Sequence, residues 1–288
     1  MAKDGSLLRI GVIFYGLGNQ MMSYLYYKAR TELTGEKIYL WAPRYKPLAD
    51  HNGYELYRLF GIKSVGCVRG WIFWQLYKHH KNRFVRHFVS VQRDSLSDLS
   101  APRKACKPIH FIMAGDKDKD FYIKRREEIH QTYVFNAHLL NPESKRWLNI
   151  IQHDATSCSL HVRRGDYIGH PNFDGICTLT YYHNAIAKMN NLVNESIRFY
   201  VFSDDIAWCR KQFGNQGFHY VDCNSGKDSW QDMMLISRCQ HHIMANSTFS
   251  WWGSFLGEKE GTIIICPPRF SIRDNGENYP PSWIRCPN

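Results

Sequence analysis

The sequence predicts an α/β protein with two domains, each built around a parallel β-sheet. The chain has 288 residues, of which 44% are hydrophobic and 22% are charged. This is enough for two hydrophobic cores and is normal for a globular protein. Short apolar runs alternate with amphipathic stretches of helical length, an order typical of parallel strands joined by right-handed crossovers. We expect the domains to comprise residues 1–150 and 151–288.

The first half opens with an apolar run from Leu7 to Phe14 that predicts a buried strand. The glycine turn Gly16–Gln20 follows, then a helical stretch at 21–33 and a second strand at 37–41, which together form a βαβ pattern. The turn begins like a dinucleotide-binding fingerprint, but Met21 stands where the third glycine belongs, so the motif alone is weak evidence. The same patterns predict a helix at 54–62, a strand at 110–114 and a helix at 144–151.

In the second half, five apolar runs predict strands and four amphipathic stretches predict the helices between them. The strands are expected at 157–162, 197–202, 218–222, 242–245 and 262–266. The helices are expected at 179–192, 206–213, 229–238 and 251–258. Open α/β sheets bind ligands at the carboxyl ends of their strands. The residues directly after these runs are therefore the candidates for a functional site.

The strongest candidate is the run His161-Val162-Arg163-Arg164-Gly165-Asp166, which ends the first of these strands. Arginine keeps its charge, and its planar guanidinium suits paired hydrogen bonds to phosphate oxygens. Successive strand residues point to opposite faces, so we expect one arginine, Arg163, to reach a phosphate and Arg164 to brace the loop through Asp166. The alternatives are a solvated strand end with a local Arg–Asp pair and a structural role for His161.

The second candidate is the run Asn246-Ser247-Thr248-Phe249-Ser250, between a strand and a helix. Hydroxyl residues that open a helix direct free backbone N–H groups and the positive end of the helix dipole toward an anion. The alternative is that Ser247 or Ser250 only caps the helix. Trp251 and Trp252 are expected to be core residues rather than a stacking platform.

Asp204 and Asp205 form the third candidate, again at the end of a strand. A carboxylate there suits ribose hydroxyls or the N–H edge of guanine, and a plain helix N-cap is the alternative. The two carboxylates are adjacent rather than spaced as Asp-x-Asp, so no metal is expected. In the run Asp116–Asp120, a calcium loop would need glycine where Phe121 stands. The run Cys239–His242 has no second ligand pair at zinc-finger spacing.

Net charge and cysteine content indicate which classes of partner and which cellular compartment to expect. The net charge of +11 favours acidic partners, which are nucleic acid, an anionic membrane face or a phosphorylated substrate. No run approaches the roughly 20 apolar residues of a membrane-spanning helix, and Met1 to Arg9 has no signal-peptide core. Nine cysteines without framework spacing indicate the reduced thiols of a cytoplasmic protein.

The stretch from Gly70 to Arg93 contains six aromatic residues among Lys, Arg and His. We expect this stretch to shape the part of the site that binds an acceptor substrate, with Trp74 and Tyr77 as contacts. The alternative is a buried amphipathic helix. A nucleic-acid-binding module would draw on the same residues, but no recognised nucleic-acid motif accompanies them. A non-catalytic sugar-binding protein would not need arginines beside a phosphate-type loop.

On these motifs the chain resembles the α-1,2-fucosyltransferases of the bacterial and animal galactoside type. They belong to a wider group of GDP-fucose transferases that includes the core α-1,6 and protein O-fucosyltransferases. The resemblance covers nearly the whole chain and rests on Gly16–Gln20, His161–Tyr167, Ser203–Asp205 and residues 232–253. It implies a GT-B type fold of two facing Rossmann-like domains, an acceptor-side domain at 1–150 and a GDP-fucose-binding domain at 151–288.

The resemblance also implies the reaction: inverting transfer of L-fucose from GDP-β-L-fucose to the 2-hydroxyl of a galactoside, with no metal or other cofactor. The donor-binding positions that it implies are Asn19, His161, Arg163, Arg164, Asp204, Asp205, Asn246, Ser247, Thr248 and Ser250. Asp166 is a candidate general base, and another carboxylate or a histidine is the alternative. The acceptor would be a galactose-terminated oligosaccharide or a lipid-linked glycan, with peripheral docking at the inner membrane face. A GDP-fucose transferase of another linkage is the alternative.

Overall fold

The computed structural model of this chain describes residues 8–43, 51–64, 67–94, 99, 107–114, 118–274 and 278–288. The chain divides into two compact units, residues 1–121 and 122–288. Each unit contains a parallel β-sheet with helices between its strands. The α/β architecture predicted from the alternating apolar runs is therefore confirmed.

The first unit has a four-stranded parallel sheet in the order β2-β1-β4-β3. Its strands are β1 (Leu8–Val12), β2 (Ile38–Trp41), β3 (Val89–Asp94) and β4 (Ile109–Ala114). Its helices are α1 (Leu17–Thr34), α2 (Leu56–Phe60) and α3 (Cys67–Lys78), and α4 (Lys119–Lys124) spans the unit boundary. β3 was not predicted, because Gln92 and Arg93 are exposed on this edge strand and interrupt its apolar pattern.

Helix α1 is fixed to the centre of this sheet through Tyr27. The Tyr27 hydroxyl lies 2.8 Å from the carbonyl oxygens of both Val12, the last residue of β1, and Ile112 in β4. An added Cβ on Gly11 would lie 2.8 Å from the Tyr27 ring. Glycine in the middle of β1 therefore lets the helix approach the sheet closely.

The second unit has a six-stranded parallel sheet in the order β10-β9-β8-β5-β6-β7. Its strands are β5 (Ser157–Val162), β6 (Arg198–Ser203), β7 (Phe218–Val221), β8 (His241–Ile243), β9 (Ile264–Cys266) and β10 (Ile284–Arg285). Its helices are α5 (Arg126–Thr132), α6 (Pro142–Gln152), α7 (Leu179–Leu192), α8 (Ile206–Phe213), α9 (Trp230–Ile236) and α10 (Thr248–Gly257). Every residue of β5 is buried, because helices cover both faces of a parallel sheet.

The boundary between the units lies at residues 121/122, so the boundary predicted near residue 150 is wrong. The residues just after it pack against α10: the Tyr122 ring lies 5.0 Å from Trp251 and 5.8 Å from Trp252, and the Tyr133 ring lies 5.3 Å from Trp252. These aromatic contacts join partners more than 100 residues apart. The regular alternation that begins at residue 157 therefore gives no signal of where the second unit starts.

Candidate functional site

Most residues of the candidate site lie at the carboxyl ends of central strands of the second sheet. From β5 the chain proceeds to β6 and β7 on one side, then returns to β8 on the other side of β5. The carboxyl ends of β5 and β8 therefore form a topological switch point, which is where open α/β sheets bind ligands. His161 and Arg163 stand at the end of β5, and Asn246 and Ser247 follow β8.

Arg163 forms ion pairs with two carboxylates. Its Nη2 lies 2.6 Å from Oδ1 of Asp166 in the turn after β5, and its Nη1 lies 3.0 Å from Oδ2 of Asp204 at the end of β6. Gly165 permits this arrangement, because an added Cβ there would lie 2.7 Å from Oδ2 of Asp204. The guanidinium is thus held across the ends of two neighbouring strands.

Arg164 pairs with Asp205 rather than with Asp166, the partner predicted for it. Its Nε donates to Oδ2 of Asp205 at 3.0 Å, and its guanidinium lies 4.0 Å from the centre of the Trp208 ring. Asp205 also caps α8 by accepting the Trp208 N–H at 3.1 Å. That N–H bond, and then Arg164, lower the pKa of Asp205. The N-cap alternative for this aspartate is confirmed.

His161 is buried with an unsatisfied ring nitrogen. Its ring stacks on Phe249 with 5.6 Å between centroids, and its Nδ1 has no hydrogen-bond partner in the described part of the chain. Burial, and then the charge of Arg163, lower the pKa of His161 to about 3. Buried polar atoms in proteins are rarely left without a partner. The neutral imidazole next to Arg163 therefore keeps an unused hydrogen-bonding position at Nδ1 within the described residues.

This shift predicts how stability depends on pH. With a native pKa of about 3, His161 binds fewer protons in the folded than in the unfolded state between pH 3 and about 6.5. The contribution of His161 to the free energy of unfolding therefore falls by about 1.4 kcal/mol for each unit by which the pH drops below about 6.5. Between pH 7 and pH 5 the wild type should therefore lose about 2 kcal/mol of unfolding free energy relative to His161→Gln, whose glutamine does not titrate. Urea denaturation at both pH values measures this difference; an unchanged difference would contradict the neutral buried imidazole.

The start of α10 is built from buried polar residues. Ser247 caps the helix by accepting the Phe249 N–H at 3.2 Å, and Ser250 accepts the Ala245 N–H at 3.0 Å. Asn246 donates through Nδ2 to the carbonyl oxygens of Phe173 and Phe270, at 3.3 and 3.2 Å. The capping alternative holds for Ser247. Together these bonds fix the loop whose backbone leads into α10.

The tryptophans of this motif are core residues, as expected. Trp251 and Trp252 are almost fully buried, and Trp251 stacks on Phe255 with 4.7 Å between ring centroids. An added Cβ on Gly253 would lie 2.5 Å from Cγ2 of Ile236 in α9. Close packing of α10 on α9 therefore sets the position of the α10 amino terminus.

Asn19 belongs to the first unit, in the first turn of α1, where its N–H donates to the Gly16 carbonyl at 3.0 Å. The neighbouring Gln20 was not singled out from the sequence, yet it holds the turn. Its Nε2 donates to the carbonyl oxygens of Tyr15 and Gly53 at 2.8 and 2.7 Å, and its Oε1 accepts the Glu55 N–H at 3.0 Å. An amide residue that closely follows a glycine turn is the sequence signal that could have identified it.

Two carboxyl groups outside the predicted set have strongly shifted pKa values. Burial raises the pKa of Glu55, next to Gln20, to about 7. Burial also raises the pKa of Asp232, in the first turn of α9, to about 7, and its Oδ1 accepts a 2.7 Å hydrogen bond from Nδ2 of Asn224. Such shifts depend on burial by distant residues, so neither group could be identified from sequence. Carboxyl groups with strongly shifted pKa values are candidates for function.

Trp74 and Tyr77 are partly buried and pack against the core of the first unit. Both pack on the cluster around Trp41 and Phe111, and the Tyr77 ring lies 5.8 and 5.5 Å from these two rings. This packing supports the buried-helix alternative for this face of α3, and the acceptor role of the segment stays a prediction. Replacing these two residues by alanine would also lower stability, so acceptor binding must be measured on variants shown to be folded.

Two runs of the sequence, Asp116–Asp120 and Cys239–His242, contain residue types that can bind metals. Asp116 and Lys117 of the calcium-like run lie outside the described residues, and Phe121 lies in α4. Cys239, His241 and His242 are buried, and the described ranges hold no group of three or more potential metal ligands. Seven of the cysteines in the described ranges are free thiols: Cys158, Cys177, Cys209, Cys223, Cys239, Cys266 and Cys286. No described helix combines the length and apolarity needed to cross a membrane.

Comparison with known proteins identifies sequences that are related to this chain. Residues 108–286 match the profile of glycosyl transferase family 11. The O-antigen biosynthesis glycosyltransferase WbnK of Escherichia coli is 35% identical over 175 residues, which are 58% of this chain and 58% of WbnK. An α-1,2-colitosyltransferase of Escherichia coli is 28% identical over 94% of this chain and 96% of its own length. The galactoside 2-α-L-fucosyltransferase SEC1 of Bos taurus is 28% identical over 47% of this chain and 39% of its own length.

A solved structure supports the fold. The apo form of POFUT1 superimposes with a TM-score of 0.50 at 10% sequence identity, covering 93% of this chain and 99% of POFUT1. At this identity the likeness concerns the fold alone. The fold is of the GT-B type, with a parallel sheet and surrounding helices in each unit.

Proposed function

The chain belongs to glycosyl transferase family 11, and we propose that it transfers L-fucose from GDP-β-L-fucose to the 2-hydroxyl of a galactoside, with inversion. The observation that carries this proposal is Arg163, held across the carboxyl ends of β5 and β6 beside the switch point between β5 and β8. The bovine relative named galactoside 2-α-L-fucosyltransferase supports the choice of sugar and linkage. The second unit, residues 122–288, would bind the donor.

In this reaction the acceptor oxygen bonds to the anomeric carbon as the bond to the β-phosphate breaks. Negative charge then develops on the departing GDP, and fixed cationic and N–H donors lower the barrier when they point at that charge. Arg163 supplies the cation. The backbone N–H groups at the start of α10, with Ser247, Thr248 and Ser250, supply the neighbouring donors.

Asp166 links donor binding to the acceptor. Its side chain is 54% exposed, against 25% for Asp204, so it is the Arg163 partner that a phosphate displaces more easily. Once displaced, its carboxylate is free to take the proton of the acceptor hydroxyl as a general base. GDP leaves with the electron pair of the broken bond. Asp204 remains behind Arg163 and keeps the guanidinium in place.

The nucleoside is proposed to contact His161, whose buried Nδ1 lacks a partner in the described structure. Asp204 and Asp205 already bind Arg163 and Arg164, so we assign them mainly to positioning the arginines. Asn246 takes the same kind of role through its two loop carbonyls. Asn19, in the first unit, is proposed to contact the fucose and pyrophosphate.

A second candidate is transfer of colitose through the same α-1,2 linkage. The observation that favours it is the end-to-end match with the α-1,2-colitosyltransferase, which covers 96% of that protein. Both candidates use the same cluster of arginines and the same α10 amino terminus. They differ in the sugar that the site accepts.

The test is to incubate the protein with GDP-fucose or GDP-colitose and a panel of free galactosides, then to determine the new linkage by NMR. We expect an α-1,2-fucosyl galactoside, with GDP released in equal amount. An α-1,2 product from GDP-colitose alone would select the second candidate. A product with another linkage, or GDP release without a glycosylated product, would contradict both.

Turnover is expected to be insensitive to chelation. The adjacent carboxylates of Asp204 and Asp205 accept bonds from two arginines and from backbone N–H groups, so they are poorly available as a cation clamp. The initial rate with EDTA should equal the rate with added Mg²⁺ or Mn²⁺. Loss of activity in EDTA that Mn²⁺ restores would show that a metal takes part.

A further inference from the structure

Four large apolar side chains project from α3 and the turn that follows it. The outward face of α3 carries Trp71 and Ile72, which are 55% and 45% exposed, opposite the face that packs on the core. Phe84 and Phe88, beyond the end of the helix, are 77% and 61% exposed. Single exposed apolar residues are ordinary, but a group within 18 residues of chain suggests an interaction surface.

The same segment is strongly basic. No Asp or Glu occurs between Leu56 and Arg93. No ion pair to a carboxylate is formed, within the described ranges, by any cation around the exposed apolar residues. These cations are Arg69, Lys78, Lys81, Arg83 and Arg86. We call them, with Trp71, Ile72, Phe84 and Phe88, the basic aromatic surface.

We propose that the basic aromatic surface docks the protein on an anionic lipid bilayer. Aromatic and aliphatic side chains enter the boundary between headgroups and acyl chains, while Lys and Arg contact the anionic headgroups around them. The apolar side chains of this surface suit the boundary with the acyl chains, and its cations suit the headgroup layer. This docking does not depend on which sugar the enzyme transfers.

A bilayer fits these residues better than a nucleic acid does. Single strands bind proteins by stacking bases on aromatic rings along a basic groove. Ile72 has no ring for stacking, yet it is exposed next to Trp71 on the outward face of the helix. Phe84 is the most exposed large apolar residue among those described. Insertion into lipid would bury both aliphatic and aromatic groups.

The test is binding of the whole protein to vesicles, without donor or acceptor. Vesicles of phosphatidylcholine alone are compared with vesicles that also contain phosphatidylglycerol. We expect binding to the anionic vesicles that weakens with added salt. The double variant Trp71→Ala/Phe84→Ala should bind about ten-fold or more weakly. Arg83→Gln/Arg86→Gln should lose about five-fold per cation.

Matched variants elsewhere control for general loss of apolar surface or charge. Leu33 and Val134 are 55% and 63% exposed outside this surface, so Leu33→Ala/Val134→Ala should bind like the wild type. Lys145→Gln/Lys211→Gln removes two other exposed cations and should lose less than Arg83→Gln/Arg86→Gln. GDP affinity and melting temperature confirm that every variant is folded.

Three outcomes would overturn the proposal. The first is equal binding of the wild type and the surface variants to anionic vesicles. The second is no vesicle binding but salt-sensitive binding of a single-stranded oligonucleotide that the same variants lose. The third is a concentration-dependent dimer, seen by analytical ultracentrifugation, that Trp71→Ala/Phe84→Ala abolishes while vesicles bind nothing.

Discussion

Arg163→Lys is expected to lower kcat about 100- to 1,000-fold, the usual effect of removing one fixed donor to a developing charge. Lysine keeps the positive charge but cannot span Asp166 and Asp204 while it presents further N–H groups to a phosphate. The free energy of unfolding should fall by no more than about 1 kcal/mol, since partly exposed ion pairs contribute little. Steady-state kinetics, GDP affinity and urea denaturation separate the two effects.

Arg164→Lys is the matched control, because the same substitution is made one residue later. Arg164 bonds Asp205 and lies over the Trp208 ring, contacts that order the loop and the start of α8. We expect it to lower the melting temperature at least as much as it lowers catalysis. Near-normal kcat in Arg163→Lys would contradict the assignment of the phosphate ligand. Near-normal kcat in both variants would remove the arginine pair from the mechanism.

Trp252→Ala should lower the free energy of unfolding by about 3–5 kcal/mol, as truncation of a buried aromatic residue generally does. Trp252 is fully buried, and its ring contacts Tyr122, Tyr133 and Phe255. Truncation leaves a cavity where the residues that follow the unit boundary meet α10. Urea denaturation followed by circular dichroism measures the loss.

Trp71→Ala removes the same type of side chain from an exposed position in α3. It should change the free energy of unfolding by no more than about 0.5 kcal/mol, because surface substitutions rarely do more. Similar losses in the two tryptophan variants would show that residues 122–133 do not dock on α10 as described. GDP affinity should be retained by Trp71→Ala.

Local patterns were sufficient for most of the second sheet. β5, α7 and α8 have the predicted bounds, because a buried parallel strand requires a continuous apolar run and an amphipathic helix requires a period near 3.6 residues. The candidate residues could be located for the same reason, since they directly follow these strands. The capping role of Ser247 also depends on chain neighbours alone. These features involve residues close together in the sequence.

Sequence patterns alone therefore determined the fold class, most strands and helices of the second unit, and the position of the arginine and serine motifs at strand ends. The tertiary structure alone decided the unit boundary, the pairing of Arg163 with Asp204 and of Arg164 with Asp205, and the face of α3 that is exposed. It also decided the shifted pKa values of His161 and Asp232. The physical reason is distance along the chain. Arg163 and Asp204 are 41 residues apart, and burial depends on side chains contributed by remote segments, so no local pattern encodes them.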